Sequence, residues 1–224
     1  MRLRPLIASL YFMFFATIAT AGNLLWYQTP ADDWMKAIPT GNGRLSAMVY
    51  GGIKQERLAL NEISMWSGQI DTLNCTGCTP ERLAEMRKCF FAGDPEKGEE
   101  LGNKYLNGSN RSFGTHLPLG DLVIDFAYPE GRFTDYRREL NLDNSVAAVT
   151  FKCGNINYRR ELTADYPDNV IAMRITADKP GAVTATLGMN LLREAKVTAA
   201  GHSLTLGGKV NFPMHGAGGV NFCA

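Results

Sequence analysis

The sequence lacks most of the signals that mark nucleic-acid-binding, metal-binding and membrane-spanning proteins. Its charge is balanced, with 23 Lys and Arg against 22 Asp and Glu, so nothing pulls it broadly toward nucleic acid or an anionic membrane. Long apolar runs are scarce. The one candidate, Leu6 to Ile18, is 13 residues long and too short for a comfortable membrane span. No repeat period of a solenoid is evident. Histidine is rare: His116, His202 and His215 are the only three, none at a His-x-x-His or similar spacing, and they read as surface or loop residues.

The apolar run has a different meaning. Arg2 and Arg4 precede it and Ala19-Thr20-Ala21 follows it, which is the charged start, short apolar core and small-x-small site of a cleavable signal peptide over residues 1–21. The mature chain is expected to begin near Gly22 and to be secreted or periplasmic. Removing both arginines takes the formal charge from +1 to about −1, which points to a neutral partner. About 200 residues then remain, enough for one domain with a substantial core. Cysteine is sparse and odd in number. Cys75, Cys78, Cys89, Cys153 and Cys223 allow at most two internal disulfides. Cys75 and Cys78 could start a zinc site, but tetrahedral zinc needs two further ligands and only Cys89 and His116 are near in sequence. The reading is therefore no metal and no cofactor, with a disulfide inside the segment or to Cys89. Asn74-Cys75-Thr76, Asn107-Gly108-Ser109 and Asn110-Arg111-Ser112 match glycosylation sequons, a pattern that needs a glycosylating host.

The remaining pattern is β-dominated. From Leu24 to Asn61 short extended segments alternate with glycine-rich turns. Within Pro39-Thr40-Gly41-Asn42-Gly43 no helix bearing a lysine follows, so the loop is a tight turn rather than a phosphate cradle, with Gly41 and Gly43 expected at positive φ and Asn42 tolerant of the left-handed region. Two helices are predicted as an insertion over about residues 79–107. Thr79 and Asp94 are placed to cap, Pro80 and Pro95 suit the first turns, Leu83, Met86 and Phe90 share a face, and Leu101, Tyr105 and Leu106 are available to pack. After Leu119 strands recur. Leu122, Ile124 and Phe126 alternate with Asp121 and Asp125. Ser145 to Cys153 and Ile156 to Ala164 form a hairpin around Gly154-Asn155, and Val170 to Ala177 and Val183 to Met189 follow at the spacing of a β-sandwich. The last residues, Gly218 to Ala224, read as a turn entering a strand, so the domain over 22–224 is expected to be incomplete at its C-terminus.

Several stretches taken together resemble a known family. They are Leu25-Trp26-Tyr27 with Pro30-Ala31, then Ile38 to Gly52, then Leu60-Asn61-Glu62-Ile63-Ser64-Met65-Trp66-Ser67-Gly68. Pro118-Leu119-Gly120-Asp121-Leu122, Tyr136 to Leu142 and Tyr166-Pro167-Asp168 follow in the same order. The set is similar to the N-terminal domain of glycoside hydrolase family 95, over roughly Leu25 to Ala224. That resemblance implies a large β-sandwich preceding an (α/α)6 barrel, in an enzyme of α-L-fucosidase type that removes terminal fucose from glycans with inversion. Its implied partners are a fucosylated oligosaccharide and the missing barrel of the same polypeptide. The family's acid and water-activating groups lie in the barrel and beyond, so no catalytic residue is assigned and the chain alone is expected to be inactive. The Cys75-Thr76-Gly77-Cys78 segment departs from the family pattern.

Inverting hydrolysis needs an acid and a base roughly 6.5–9.5 Å apart across the sugar. Asp121, Asp125, Glu139 and Glu161 alternate with apolar neighbours on strands and are read as solvated or paired with groups such as Arg137 and Arg159. Asn61, Glu62 and Trp66 are the candidates for the substrate rim or a domain interface: an indole can stack on a pyranose face, and a tryptophan beside Ser67 and Gly68 can equally be a packing anchor. Two other readings stay open, a stand-alone secreted carbohydrate-binding or adhesion module and a decayed or miscalled gene.

Overall fold

The computed structural model describes residues 22–68, 77–106, 114–191, 195–210 and 219–224. The signal-peptide assignment, Cys75, the three sequons and His215 lie outside them. The strands are β1 (Leu24–Tyr27), β2 (Ile38–Gly41), β3 (Leu45–Val49), β4 (Gln55–Glu62), β5 (Gly120–Phe126), β6 (Phe133–Asn141), β7 (Val146–Cys153), β8 (Ile156–Asp165), β9 (Val170–Ala177), β10 (Ala185–Asn190), β11 (Ala195–Ala200), β12 (Ser203–Lys209) and β13 (Asn221–Cys223). Helices α1 (Pro80–Phe91) and α2 (Pro95–Tyr105) sit between β4 and β5. The expected β-sandwich with a two-helix insertion is the observed fold.

Alternation explains the layers. One sheet has the order β1-β6-β7-β8-β9 and the other β10-β5-β4-β3-β2, all pairs antiparallel. Every second residue of each strand turns inward. Ile38, Ala47, Val49 and Leu58 from one sheet thus share a core with Leu140, Ala147, Val149, Phe151, Tyr158 and Leu162 from the other. Each fully buried large aliphatic or aromatic side chain contributes about 1.5–3 kcal/mol. A smaller sheet, β11-β12-β13, joins the assembly through Met65, Leu117, Leu119 and Val210, against which Leu60 and Phe222 pack.

The insertion forms by local rules. Thr79 accepts from the amide of Arg82 (3.3 Å) and Asp94 from that of Lys97 (3.0 Å), and Gly93 leaves α1 at φ 79°, so both caps and the exit stand where the sequence placed them. Phe90 and Met86 lie against Gly98 and Gly102, where the absence of a side chain lets the two helices approach closely. The expected disulfide is not formed at Cys78 or Cys89, both of which are free thiols.

The turn at Gly41–Gly43 is built differently from the expectation. Gly43 has φ 90°, but Gly41 and Asn42 are not at positive φ. Gly41 is needed for closeness, since a Cβ there would stand 2.9 Å from the Leu45 carbonyl oxygen. Asn42 holds the turn through its side chain, accepting from the amides of Arg44 (2.9 Å) and Leu45 (2.7 Å), which satisfies two donors while Gly43 alone takes the positive φ.

One polar network is sealed inside the sandwich. Arg160 on β8 and Glu56 on β4 are 2% and 0% exposed and pair at 2.9 Å. A second guanidinium nitrogen donates to the Gly52 carbonyl (2.7 Å), and Glu56 accepts from the Gly51 amide (2.8 Å). Burial pushes the Glu56 carboxyl up, against the opposing pull of Arg160 and the backbone amides. Arg138, also buried, donates to the carbonyls of Thr29 and Lys36 at 2.7 Å each and so ties the segment after β1 to the sheet.

Candidate functional site

The residues that end β4 lie where the insertion departs from the sandwich and returns. Ser67 donates its amide to the Thr115 carbonyl (3.0 Å) and accepts the Thr115 amide on its hydroxyl (3.0 Å), closing the neck of the insertion. This pairing sets Trp66 opposite His116 as an isolated antiparallel bridge. The two rings meet edge to face with centroids 5.5 Å apart. The indole N–H donates to the Ile63 carbonyl (3.0 Å), and His116 Nε2 donates to the Glu62 carbonyl (3.0 Å). Trp66 is therefore held from two sides while remaining 47% exposed.

Gly114 makes the neck possible. A Cβ there would lie 1.7 Å from the Ser67 carbonyl oxygen, a backbone atom that has nowhere to retreat. Gly114→Ala is expected to open the neck and to cost about 1–3 kcal/mol, as forced overpacking does. A fall in thermal stability together with a red-shifted Trp66 emission would register it.

Asn61, Glu62 and Trp66 do not converge as one cluster. Asn61 and Glu62 are consecutive strand residues and point to opposite faces. Asn61 stands opposite Ser46 and shares with Arg44, Ser46, Ile63, Trp66 and His116 an open pocket of about 410 Å³. Glu62 faces the other way. It accepts from Arg44 Nε (3.0 Å), the Ser64 amide (2.8 Å) and the Ser64 hydroxyl. Burial pushes the Glu62 carboxyl up, but the Ser64 hydroxyl and amide and the Arg44 guanidinium outweigh it and hold the group below its ordinary 4.5. A carboxylate lowered in the folded state adds stability that is complete above its unfolded pKa and disappears as pH falls through the folded one. Acidification from neutrality to below 4.5 is expected to release Arg44 and Ser64 and change Trp66 emission, a step that Glu62→Gln removes.

The strand carboxylates that the sequence marks as solvated or paired each have a partner. Asp121 pairs with Arg57 (2.9 Å), Glu139 with Arg137 (2.5 Å) and Glu161 with Arg159 (2.8 Å), while Asp125 accepts from Gln55 (2.7 Å). Glu56 has the raised pKa of a general acid, but it is enclosed and both its oxygens are used. A cavity of about 790 Å³ lies between the sheets and is lined chiefly by apolar side chains such as Leu58, Leu60, Leu122, Leu162, Met173 and Met189. Among the described residues no three His, Cys, Asp or Glu side chains converge as a metal site would require, and no helix is long and apolar enough to cross a membrane.

Arg44, Ser46 and His116 were not singled out as site residues from sequence. Ser46 reaches the pocket through strand register, and His116 through closure of the insertion. Neither leaves a local motif.

Known proteins resemble this chain in sequence. Residues 25–224 match the family model described as glycosyl hydrolase family 65, N-terminal domain. The chain is 36% identical over 163 residues to "Alpha-L-fucosidase 2" of Arabidopsis thaliana, covering 71% of this chain and 19% of that protein. It is 30% identical over 211 residues to "Probable alpha-fucosidase A" of Aspergillus niger, covering 88% and 25%, and 28% identical over 187 residues to the protein of the same name in Aspergillus oryzae, covering 80% and 24%. The chain thus spans about a fifth to a quarter of the length of the curated relatives it matches. With a family match over almost its whole length, the chain belongs to the glycosyl hydrolase family 65 N-terminal domain family.

Proposed function

We propose that this chain is the non-catalytic N-terminal domain of an exported glycoside hydrolase of the α-L-fucosidase type, of the family 95 kind, which removes terminal fucose from glycans with inversion. The similarity to three α-fucosidases carries the reading. Four strand carboxylates agree with it: Asp121, Glu139 and Glu161 are paired with arginines and Glu56 is enclosed in the core, and binding energy without an acid and a base lowers no barrier. The chemistry then belongs to a barrel elsewhere in the same polypeptide, with Asn61, Glu62 and Trp66 near the rim of the substrate cleft or at the contact with that barrel.

The test is fucose release from 2′-fucosyllactose by the polypeptide extended through the reading frame downstream of Ala224, with the first-formed anomer followed by proton NMR. β-L-fucose from the α-linkage is expected. Initial α-L-fucose, or no release, would contradict the reading. Export adds its own expectation: N-terminal sequencing of protein recovered outside the cytoplasm should start near Gly22, and an intact Met1 on that protein would remove the signal-peptide assignment.

A further inference from the structure

We propose that Arg44, Ser46, Asn61, Trp66 and His116 form a binding site for one neutral pyranose. The platform is Trp66, whose indole N–H is already bonded to Ile63 and whose ring is fixed against His116, so a ligand meets a half-exposed aromatic surface that is ordered beforehand. Around it stand groups with free hydrogen-bonding capacity. Among the described residues the half-buried Asn61 carboxamide and the neighbouring Ser46 hydroxyl have no partner, and Arg44 is held only through Nε, which leaves its terminal nitrogens free to donate.

The chemistry of the set selects the ligand. A pyranose has an apolar C–H face that lies on an aromatic ring, and hydroxyls that both donate and accept, as a carboxamide and a hydroxyl require of a partner. The Arg44 charge is answered by Glu62 at 3.0 Å, so the pocket presents no unbalanced charge to draw a phosphate or a carboxylate. Its volume of about 410 Å³ accommodates a monosaccharide ring. Trp26 offers no comparable surface, because the Arg137 guanidinium already covers its ring at 4.8 Å while bonded to Glu139.

The site rests on the glycan-processing reading only for the choice of probe. Saturation-transfer NMR of the purified chain with L-fucose should give transfer to the sugar, and D-glucuronate should give less. Trp66→Ala should weaken binding roughly tenfold through loss of the stacking surface. Asn61→Ala, which removes a side chain bonded to no other residue, should weaken it about two- to tenfold without disturbing the fold. Trp26→Ala should leave it unchanged. No transfer from L-fucose, D-galactose or D-glucose, or transfer that Trp66→Ala and Asn61→Ala leave intact, overturns the proposal. Trp66-dependent binding without fucose release by the longer polypeptide supports the site and removes the fucosidase reading. Fucose release without such binding overturns the site and leaves that reading standing.

Discussion

Glu56→Gln should destabilise the domain by about 3–5 kcal/mol, the cost of leaving a buried charge without its partner. Glutamine keeps the size of the side chain and an oxygen for the Gly51 amide, so the loss isolates the charge facing Arg160. The guanidinium cannot escape by losing its proton. Nor can it reach water, since Arg160 is 2% exposed, lies 4.7 Å over the Phe126 ring and 5.3 Å over Phe151, and already has one nitrogen, Nε, without a partner. Urea unfolding should show a lower midpoint at an unchanged slope. The double variant Glu56→Leu with Arg160→Met should recover part of the loss, with a coupling of about 0.5–3 kcal/mol in the cycle. A single variant as stable as the parent would mean that the pair is not sealed from solvent.

Phe151→Ala should cost a similar amount, about 3–5 kcal/mol, by removing an aromatic ring from a site that cannot collapse around the void. Phe151 stands on the central strand of its sheet and is 2% exposed. It stacks on Tyr158 at 5.4 Å and meets Tyr128 edge-on at 5.5 Å and Phe133 at 6.1 Å. Those rings are braced by one another and by the sheets, so little can move inward. Because Arg160 lies over the same ring, Phe151→Ala and Glu56→Gln should fall short of additivity. Strict additivity would place the two residues in independent parts of the core.

Local rules made much of this fold readable. The β7–β8 hairpin follows from alternation across Gly154, and both helices follow from a cap and a proline, with Gly93 as the exit of the first. What escaped depends on register between distant strands. Arg160 shares the apolar face of β8 with Tyr158 and Leu162, which marks it as a residue needing a buried partner, yet Glu56 lies 104 residues away and nothing local names it. The same limit applies to the candidate site. Trp66 was visible as a stacking or packing candidate beside serine and glycine, but Ser46 and His116 join it only through strand pairing and closure of the insertion. Asn61 and Glu62 read as a unit in sequence, and the pleat separates them.

The most direct measurement is fucose release from 2′-fucosyllactose by the purified chain itself, set beside the polypeptide extended downstream of Ala224. The account predicts release by the longer polypeptide and none by this chain, in which Asp121, Glu139 and Glu161 are paired with arginines and Glu56 is enclosed. Release by the chain alone would contradict it, because some carboxylate among those in this sandwich would then have to be doing the chemistry.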